Sequence, residues 1–290
     1  MQLQSIKYSI FTLLITSLVI TFIWLMKSNP TITFFPLDER LSFNRAITSL
    51  TYSDEKDKDV TSPMIKWLTE SSTDEKIYLR QDASLLFANG RLRGVKSKWM
   101  ERAKTIRMKE KLRVTEDTFW EGITFHHGEI HYPSDKIKSI QKMSHDQMYV
   151  LSNKDNQQLI HFKSALTAQE KYLQQQLNER INKQLLKHWN DLFKHFHINR
   201  DDYIIVPLTQ LYTYEQTSLP SLEKVNRDQM IGRLWEGLYK NYIIPATNTQ
   251  NSEWTNYMPI ILFDKNDTHL LVLFELNGTK EKLLQRYPTD

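Results

Sequence analysis

The sequence predicts an α+β protein: an antiparallel β-rich half followed by a helix-rich half with a central hairpin, behind a single N-terminal transmembrane helix. Three observations predict this architecture. Residues 8–26 carry no charge, residues 76–164 contain repeated strand and turn signals, and the chain after residue 166 contains two amphipathic helical patterns. We expect a short tail and anchor at 1–29, a β-rich part at 30–165 and an α+β part at 166–290. No flexible linker separates the last two parts, so one domain containing both is the alternative.

Residues 8–26 (YSIFTLLITSLVITFIWLM) form an uncharged run between Lys7 and Lys27. A hydrocarbon core about 30 Å thick needs roughly 20 helical residues, and the aromatic residues Tyr8 and Trp24 suit its two interfaces. A cleaved signal peptide would have a shorter apolar core and small residues at a cleavage site. We therefore expect an uncleaved anchor in the cell membrane. Flanking positive charges are nearly balanced, but the short N-terminal tail favours a large C-terminal domain outside the cell; a cytosolic domain is the alternative.

The composition excludes several classes of site. The chain contains no cysteine, which rules out disulfides, thiol nucleophiles and cysteine-ligated metals. Its net charge of +4 is too small to indicate nucleic acid as a partner. Scarce glycine and frequent Lys, Asn, Gln and Ile are typical of proteins from AT-rich bacteria.

Four short segments follow the anchor. Thr31–Pro36 predicts a strand, and Asp38–Leu50 predicts a helix with acids in its first turn, where the helix dipole favours negative charge. Residues 53–63 are charged and end in a proline, which predicts a loop. A second short helix is expected at Met64–Glu70.

The clearest turn signal is Asn89-Gly90, which stands between two runs that contain apolar residues. A type I′ turn needs positive φ at both central residues, so this pair predicts a two-residue hairpin. Several such strands in succession indicate a mainly antiparallel sheet. The further strands expected in this region are Thr105–Val114, Phe119–His126, Ile130–Tyr132, Met148–Leu151 and Gln158–Phe162.

The second half begins with a capping box, Thr167 to Glu170, in which the two side chains satisfy free amides at the start of a helix. The apolar stripe of this long helix is Leu173, Leu177, Ile181, Leu185, Trp189, Leu192 and Phe196. Two nearly continuous apolar runs predict buried strands that pair as the central hairpin. The remaining expected elements are a strand at Asp202–Leu208, a helix at Arg227–Tyr242, strands at Pro259–Phe263 and Leu270–Leu276, and a terminal helix at Thr279–Arg286.

Residues 91–113 contain ten basic and two acidic residues. Alternation along Ile106–Val114 places the basic side chains on one face of a strand and the apolar ones on the other. This face predicts contact with an anionic partner: lipid headgroups, a wall polymer or an acidic protein. A solvated face whose lysines prevent edge aggregation is the alternative explanation. The expected contact residues are Arg91, Arg93, Lys96, Lys98, Arg107, Lys109, Lys111 and Arg113.

The motif FHHGEIH holds the strongest histidine candidates. If Gly128-Glu129 forms a two-residue turn, His126 and His131 face each other with Cβ atoms about 5 Å apart. Such a pair can share a metal or respond to pH near 6.5. A zinc site needs a third ligand, and no neighbour in sequence supplies one. His126 and His131 are therefore weak metal candidates, a solvated hairpin tip is the alternative, and we expect no cofactor.

Other chemical signals are weaker still. His188, Asp191 and His195 share one helix face by their spacing, and Glu275 stands inside an apolar run, where a carboxylate needs a partner or a raised pKa. None of the nucleophile, phosphate-loop or metalloprotease motifs occurs. Two carboxylates placed far apart in sequence are still compatible with glycoside hydrolysis.

These observations predict a membrane-anchored extracytoplasmic protein of bacterial type, with a non-enzymatic binding, accessory or regulatory role at the cell envelope. Its partners would be the lipid bilayer, through residues 8–26, and an anionic envelope polymer or protein. The alternative is a membrane-tethered hydrolase whose site contains His126, Glu129 and His131.

Overall fold

A computed structural model of the chain describes residues 34–53, 63–153, 158–215, 217, 224–247 and 256–287. Contacts divide the chain into two units, residues 1–32 and 33–290, and every described residue belongs to the second unit. The predicted anchor at residues 8–26 and nearly all of the predicted loop at 53–63 lie outside the described residues. Within the described ranges, no helix is long and apolar enough to cross a membrane.

A seven-stranded antiparallel sheet forms the first part of the fold. Its strands are β1 (Arg45–Ser53), β2 (Met64–Ala88), β3 (Arg91–Lys96), β4 (Trp99–Arg113), β5 (Thr118–His131), β6 (Ile137–Asn153) and β7 (Gln158–Phe162). The main path runs β1-β2-β5-β6-β7, and β3 and β4 also pair with β2. The long strand β2 therefore has neighbours on both edges along most of its length.

The turn between β2 and β3 is the predicted hairpin. Asn89 has φ of 50° and Gly90 has φ of 74°, and Ala88 pairs with Arg91. This confirms the two-residue turn with positive φ at both positions. After it, β3 and then β4 run back along β2, down to the pairing of Met64 with Arg113.

The first sheet folds over on itself. The register between β2 and β4 shifts after Ser72, and such irregularities bend strands. Before the shift, Trp67 of β2 lies against Gly94 of β3 and Gly122 of β5, which pair with the later part of β2. The sheet thus forms two layers. We call β1 with residues 64–72 of β2 and 105–113 of β4 the front layer, and residues 83–88 of β2 with β3, β5, β6 and β7 the back layer.

The core between the layers joins strands that are distant in sequence. The Thr48 hydroxyl of β1 donates to the Thr124 hydroxyl of β5 at 2.7 Å, and the Leu50 amide donates to the Asp146 carboxylate of β6 at 2.7 Å. One apolar cluster fills much of this core: Leu50, Ile65, Trp67, Leu86, Ala88, Val114, Trp120, Met148 and Val150.

The long helix α1 (Ala168–His195) covers the outer side of the back layer and confirms the predicted capping box. The Glu170 amide donates to the Thr167 hydroxyl at 3.1 Å, and the Thr167 amide donates to the Glu170 carboxylate at 2.8 Å. The buried residues of α1 are Leu177, Ile181, Leu185, Trp189, Leu192 and Phe193. Phe193 replaces the predicted Phe196, because four-residue spacing drifts around a helix.

A second, four-stranded antiparallel sheet follows, with the order β11-β10-β9-β8. Its strands are β8 (Tyr203–Pro207), β9 (Ile260–Asp264), β10 (His269–Leu276) and β11 (Thr279–Arg286). The two predicted apolar strands are confirmed as β9 and β10, and β9 is buried throughout. The predicted strand at Asp202–Leu208 is β8.

Helical segments between β8 and β9 contact both sheets. They are a 3-10 segment (Leu208–Glu215), α2 (Lys224–Leu238), a π-helical turn (Tyr239–Ile243) and α3 (Ile244–Thr247). Trp235 of α2 stacks on Phe125 of β5, with ring centroids 5.3 Å apart. Tyr242 packs edge-on against Phe274 of β10, with centroids 5.2 Å apart.

The predicted fold class is wrong in its balance of elements. Among the described residues, strand makes up 53% and helix 27%, so this part of the protein is mostly antiparallel β-sheet in two sheets and has no helix-rich half. The described residues include no N-terminal helix. The second half contains a complete four-stranded sheet, because the segment predicted as a terminal helix is the largely polar edge strand β11, which pairs with β10.

Three predicted short helices are wrong for a shared reason. Strand β1 occupies the end of Asp38–Leu50, β2 begins at Met64, and Thr279–Arg286 is β11. Isolated helices of this length are marginal in water, whereas Arg45–Leu50, Met64–Glu70 and Thr279–Arg286 each pair with a neighbouring strand along their whole length. Ile65, Trp67 and Thr69 are buried at alternate positions, which is the two-residue period of a strand. A segment as short as Met64–Glu70 does not distinguish this period from that of a helix.

Candidate functional site

The outer face of the front layer carries the basic side chains predicted on β4. Trp67 points into the core, so its neighbour Lys66 points outward, and Lys66 lies directly opposite Lys111 of β4. Arg45 of β1 joins the same surface through Glu70. We call this surface the basic face; its cations are Arg45, Lys66, Arg107, Lys109, Lys111 and Arg113. The sequence pattern does not indicate Arg45 and Lys66, because only strand pairing brings them to this surface.

The alternation predicted for β4 is confirmed. Arg107, Lys109, Lys111 and Arg113 are exposed, whereas Ile106 is buried. Glu70 is the carboxylate at one end of the basic face, 3.1 Å from Arg107 and 3.0 Å from Arg45. Within the described part of the chain, Lys109 and Arg113 form no ion pair. The role of these residues in anion contact stays a prediction.

The structure separates Arg91 and Arg93 from the basic face. Gly94 points toward Trp67 in the core, so Arg93 points to the opposite, helix-facing side of the back layer. Arg91 donates a hydrogen bond to the Tyr257 hydroxyl at 2.8 Å, with its guanidinium 4.8 Å from the centre of the Tyr257 ring, and Tyr257 stacks on His188 of α1. The two residues therefore belong to a different surface.

Lys96 and Lys98 lie at the edge where the two layers approach. The Lys96 ammonium donates to the backbone carbonyl of Lys109 at 3.2 Å, and the Lys98 ammonium donates to that of Arg107 at 3.3 Å. Lys96 also forms an ion pair with Glu110 at 2.9 Å. These lysines cover edge carbonyls of β4, which is how strand edges are protected from further pairing.

The predicted histidine hairpin is wrong, because β5 continues through Gly128 and Glu129 without a turn. His126 and His131 are five residues apart in one strand, which places them on opposite faces and roughly 16 Å apart. The buried His126 ring lies 2.7 Å from the Ser144 hydroxyl, whereas His131 is exposed beside Glu129, at 3.3 Å. No group of three metal-ligating side chains occurs among the described residues.

Burial controls the chemistry of two adjacent histidines. Desolvation lowers the pKa of His126 to about 3, with a smaller effect from Lys142. It also lowers the pKa of His127 to about 3, with a smaller effect from Arg80. Both imidazoles are therefore neutral at physiological pH.

Two weaker candidates meet in the structure. The His188 imidazole lies 4.0 Å from the Glu275 carboxylate and stacks on the Tyr257 ring, with centroids 4.5 Å apart. Burial lowers the pKa of His188. Asp191 and His195 remain exposed on α1. Of the three residues predicted to share a helix face, only His188 therefore takes part in the cluster with Glu275 and Tyr257.

A cavity of about 440 Å³ lies on the outer side of the back layer, between β5, β6, α1 and the 3-10 segment. We call it the Glu121 cavity. Its polar lining comes from Glu121, His145, Gln147, Tyr149, Asn178, Asn182, Thr209, Gln210, Tyr212 and Thr213. Its apolar lining comes from Phe119, Ile181, Leu185, Trp189, Pro207 and Met258.

Glu121 is the charged group of this cavity. The Thr209 hydroxyl donates to its Oε1 at 2.8 Å. Burial raises the pKa of Glu121 to about 7, and the hydrogen bond from Thr209 opposes that rise. Among the described residues, no side chain or amide donates a hydrogen bond to the second carboxylate oxygen.

The neighbours of Glu121 are neutral and held in place. Burial lowers the pKa of His145 to about 4, so its ring, which stacks on Tyr212 at 4.5 Å, carries no charge at pH 7. The Tyr149 hydroxyl donates to the Asn178 side-chain oxygen at 3.0 Å, and burial raises the pKa of Tyr149. The cavity is therefore polar but poor in charge.

Glu121 was not among the site residues predicted from the sequence, although the sequence contains a signal for it. Phe119, Glu121 and Ile123 share one face of β5 by the two-residue period, so a single carboxylate stands between two apolar side chains. Only packing against α1 and the 3-10 segment shows that this face borders a cavity.

The sequence matches no family model, no curated protein and no solved structure. The geometry alone therefore defines the class: a two-sheet, mainly antiparallel β protein with a basic face and a separate polar cavity.

Proposed function

We propose that the chain is a membrane-anchored extracytoplasmic binding or accessory protein of the cell envelope, and that its basic face contacts an anionic polymer or protein there. The observation that carries the proposal is the row of exposed cations on β4, joined by Lys66 from the adjacent strand β2 and by Arg45 from β1, the strand beyond it. Residues 8–26 would hold the protein at the membrane.

The arrangement of charge on the basic face favours an external partner. Cations at alternate positions of β4 are about 7 Å apart along the strand, so they repel one another. An anionic partner would relieve this repulsion.

Protection of the sheet edge does not account for the basic face. Lys96 and Lys98 already cover carbonyls on the edge of β4. Lys109 and Arg113 point out from the face of the layer, where an added strand would not pair. This separation favours contact with a partner over the edge-protection alternative.

The hydrolase alternative has less support. Its histidines stand on opposite faces of β5, and glycoside hydrolysis uses two carboxyl groups that flank one bond. Among the described residues, Glu121 is the only carboxyl lining its cavity, and Glu215, whose pKa burial also raises to about 7, is not part of that lining.

The test replaces two cations that have no ion pair in the described structure. The full chain carrying Lys109→Glu and Arg113→Glu is compared with the wild type for binding to a poly(glycerol phosphate) polymer. Each cation near an anionic surface contributes about 1 kcal/mol, so we expect a loss of affinity of roughly 30-fold or more. The loss should shrink as salt screens the interaction.

The matched control carries Lys183→Glu and Lys187→Glu, two exposed positions on α1. It makes the same change in net charge away from the basic face. We expect its affinity for the polymer to fall by no more than about threefold, because salt screens charges that lie outside the contact. Equal losses in the two variants, or no loss in either, would refute the assignment of the basic face.

A further inference from the structure

We propose that the Glu121 cavity binds a small organic ammonium ion, with the Glu121 carboxylate as its counter-charge. This site lies on the helix-covered side of the back layer, apart from the basic face. The inference is therefore independent of the proposed anionic partner.

The size of the cavity suits a small molecule. Its volume of about 440 Å³ falls within the range of roughly 300–1,000 Å³ that is usual for ligand sites. The cavity has two walls: β5 and β6 form one, and α1 with the 3-10 segment forms the other. The lining mixes aromatic surfaces with a few polar groups, as ligand sites generally do.

The charge balance of the cavity selects the class of ligand. Glu121 is the only acid in the described lining, and that lining contains no lysine or arginine. The titratable groups that face it are His145 and Tyr149 from β6 and Tyr212 from the 3-10 segment. The α1 wall contributes the uncharged amides of Asn178 and Asn182. A desolvated carboxylate is costly without a positive partner, and a bound cation would supply one.

The unused hydrogen-bonding capacity of Glu121 also favours an ammonium ligand. Thr209 occupies one oxygen of Glu121, and among the described residues the other oxygen accepts no hydrogen bond. An ammonium group is a donor or a compact positive charge without acceptors, so it complements that oxygen. The rings of Phe119, Tyr149 and Trp189 border the same space, and aromatic faces attract cations.

An anion or a neutral ligand fits less well. An anion would meet Glu121 with no cation in the described lining to balance either charge. A neutral ligand would leave the carboxylate unpaired in a desolvated site. Burial raises the pKa of Glu121 to about 7, because desolvation disfavours the ionised carboxylate.

Binding should therefore depend on pH. A quaternary ammonium ion stays charged at every pH, whereas Glu121 changes from mostly protonated to mostly ionised between pH 6 and pH 8. We expect the affinity for such an ion to rise by about tenfold over that interval, because only the ionised carboxylate supplies the counter-charge.

The experiment measures binding of choline to the full chain by calorimetry at pH 6 and pH 8. The matched probe is 3,3-dimethyl-1-butanol, in which a neutral carbon replaces the quaternary nitrogen at nearly the same shape. We expect choline to bind and the alcohol to bind at least tenfold more weakly. Failure of choline to bind, or equal binding of the two probes, would overturn the proposal.

Variants then assign the site. Glu121→Gln keeps the size of the side chain and an acceptor for Thr209 but removes the charge, so choline affinity should fall at least tenfold and lose its pH dependence. Glu116→Gln, at an exposed position before β5, should leave binding unchanged. The basic-face variant with Lys109→Glu and Arg113→Glu should also bind choline normally. Choline binding that survives Glu121→Gln would contradict the assignment, whatever the outcome at the basic face.

Discussion

Gly94 of β3 lies directly against the indole of Trp67 in β2. A Cβ atom at position 94 would come within 2.8 Å of Cζ3 of that ring, closer than carbon atoms pack. The Trp67 side chain is fully buried between the two layers. The absence of a side chain at Gly94 is therefore what lets the front and back layers approach each other.

The first prediction concerns this contact. Gly94→Ala should destabilise the protein by about 1–3 kcal/mol, because an extra methyl group forces a rigid indole to move in a packed core. Gly237→Ala in α2 is the control, since its nearest heavy atom would be Leu283 Cδ1 at 3.8 Å. That change should be neutral or stabilise the helix by up to about 1 kcal/mol. Urea unfolding measures both, and a Gly94→Ala variant as stable as the wild type would contradict the packing argument.

The second prediction concerns acid stability. Burial holds the pKa of His127 at about 3, below its unfolded value of about 6.5. The folded state binds fewer protons, so this contribution to stability is present above pH 6.5 and is lost as pH falls toward 3.

For His127→Phe, the loss of stability between pH 7 and pH 5 should be smaller than in the wild type by up to about 2 kcal/mol. Comparing each protein with itself at two pH values separates titration from any change in packing. His131→Phe, at an exposed position of the same strand, controls for the introduced ring. An unchanged pH dependence in His127→Phe would show that the imidazole is not buried neutral.

The third prediction concerns Glu121, whose effect on the pH dependence of stability is opposite to that of His127. The pKa of Glu121 is about 7 in the folded state and about 4.3 when unfolded, so the folded state binds more protons. Its contribution is fully present below the unfolded pKa and is lost as pH rises through 7. Without ligand, Glu121→Gln should therefore gain stability relative to the wild type between pH 5 and pH 8, by up to about 3 kcal/mol. Parallel stability curves for the two proteins would exclude the raised pKa.

The fourth prediction concerns the start of α1. Thr167→Ala should cost about 1 kcal/mol of unfolding free energy, because the Glu170 amide loses its acceptor. Thr167→Ser keeps the hydroxyl and should retain most of the stability. Ser164→Ala, at an exposed position before the helix, should have little effect. Thermal unfolding of the three variants tests the capping box, and equal stability of Thr167→Ala and Thr167→Ser would argue against it.

The sequence was informative where its signals are local. The positive φ values of the Asn89-Gly90 turn, the reciprocal bonds of the capping box and the apolar strands β9 and β10 all depend on residues close together in the chain. The short helices failed because their segments are too brief for a stable helix, and partner strands distant in sequence satisfy their backbone groups instead. For the same reason β11, with its largely polar sequence, was not recognisable as a strand.

The candidate sites were also predictable only where the signal lies within one strand. Alternation on β4 predicted which basic side chains are exposed, but not that the folded sheet would separate Arg93 from Lys109. The pairing of His126 with His131 depended on a turn at Gly128-Glu129, and continuous pairing of β5 with β6 removes that turn.

By itself, the sequence determined the hairpin turn, the start of the long helix, the two apolar strands and the exposed row of cations, because each follows from backbone preference or periodicity within one element. Tertiary structure alone decided that one sheet bends into two layers, that Arg45 and Lys66 join the basic face, and that Glu121 borders a cavity. Those features depend on which strands pair and which faces meet across long separations in sequence. The pattern within one segment does not indicate which distant segment it will pack against.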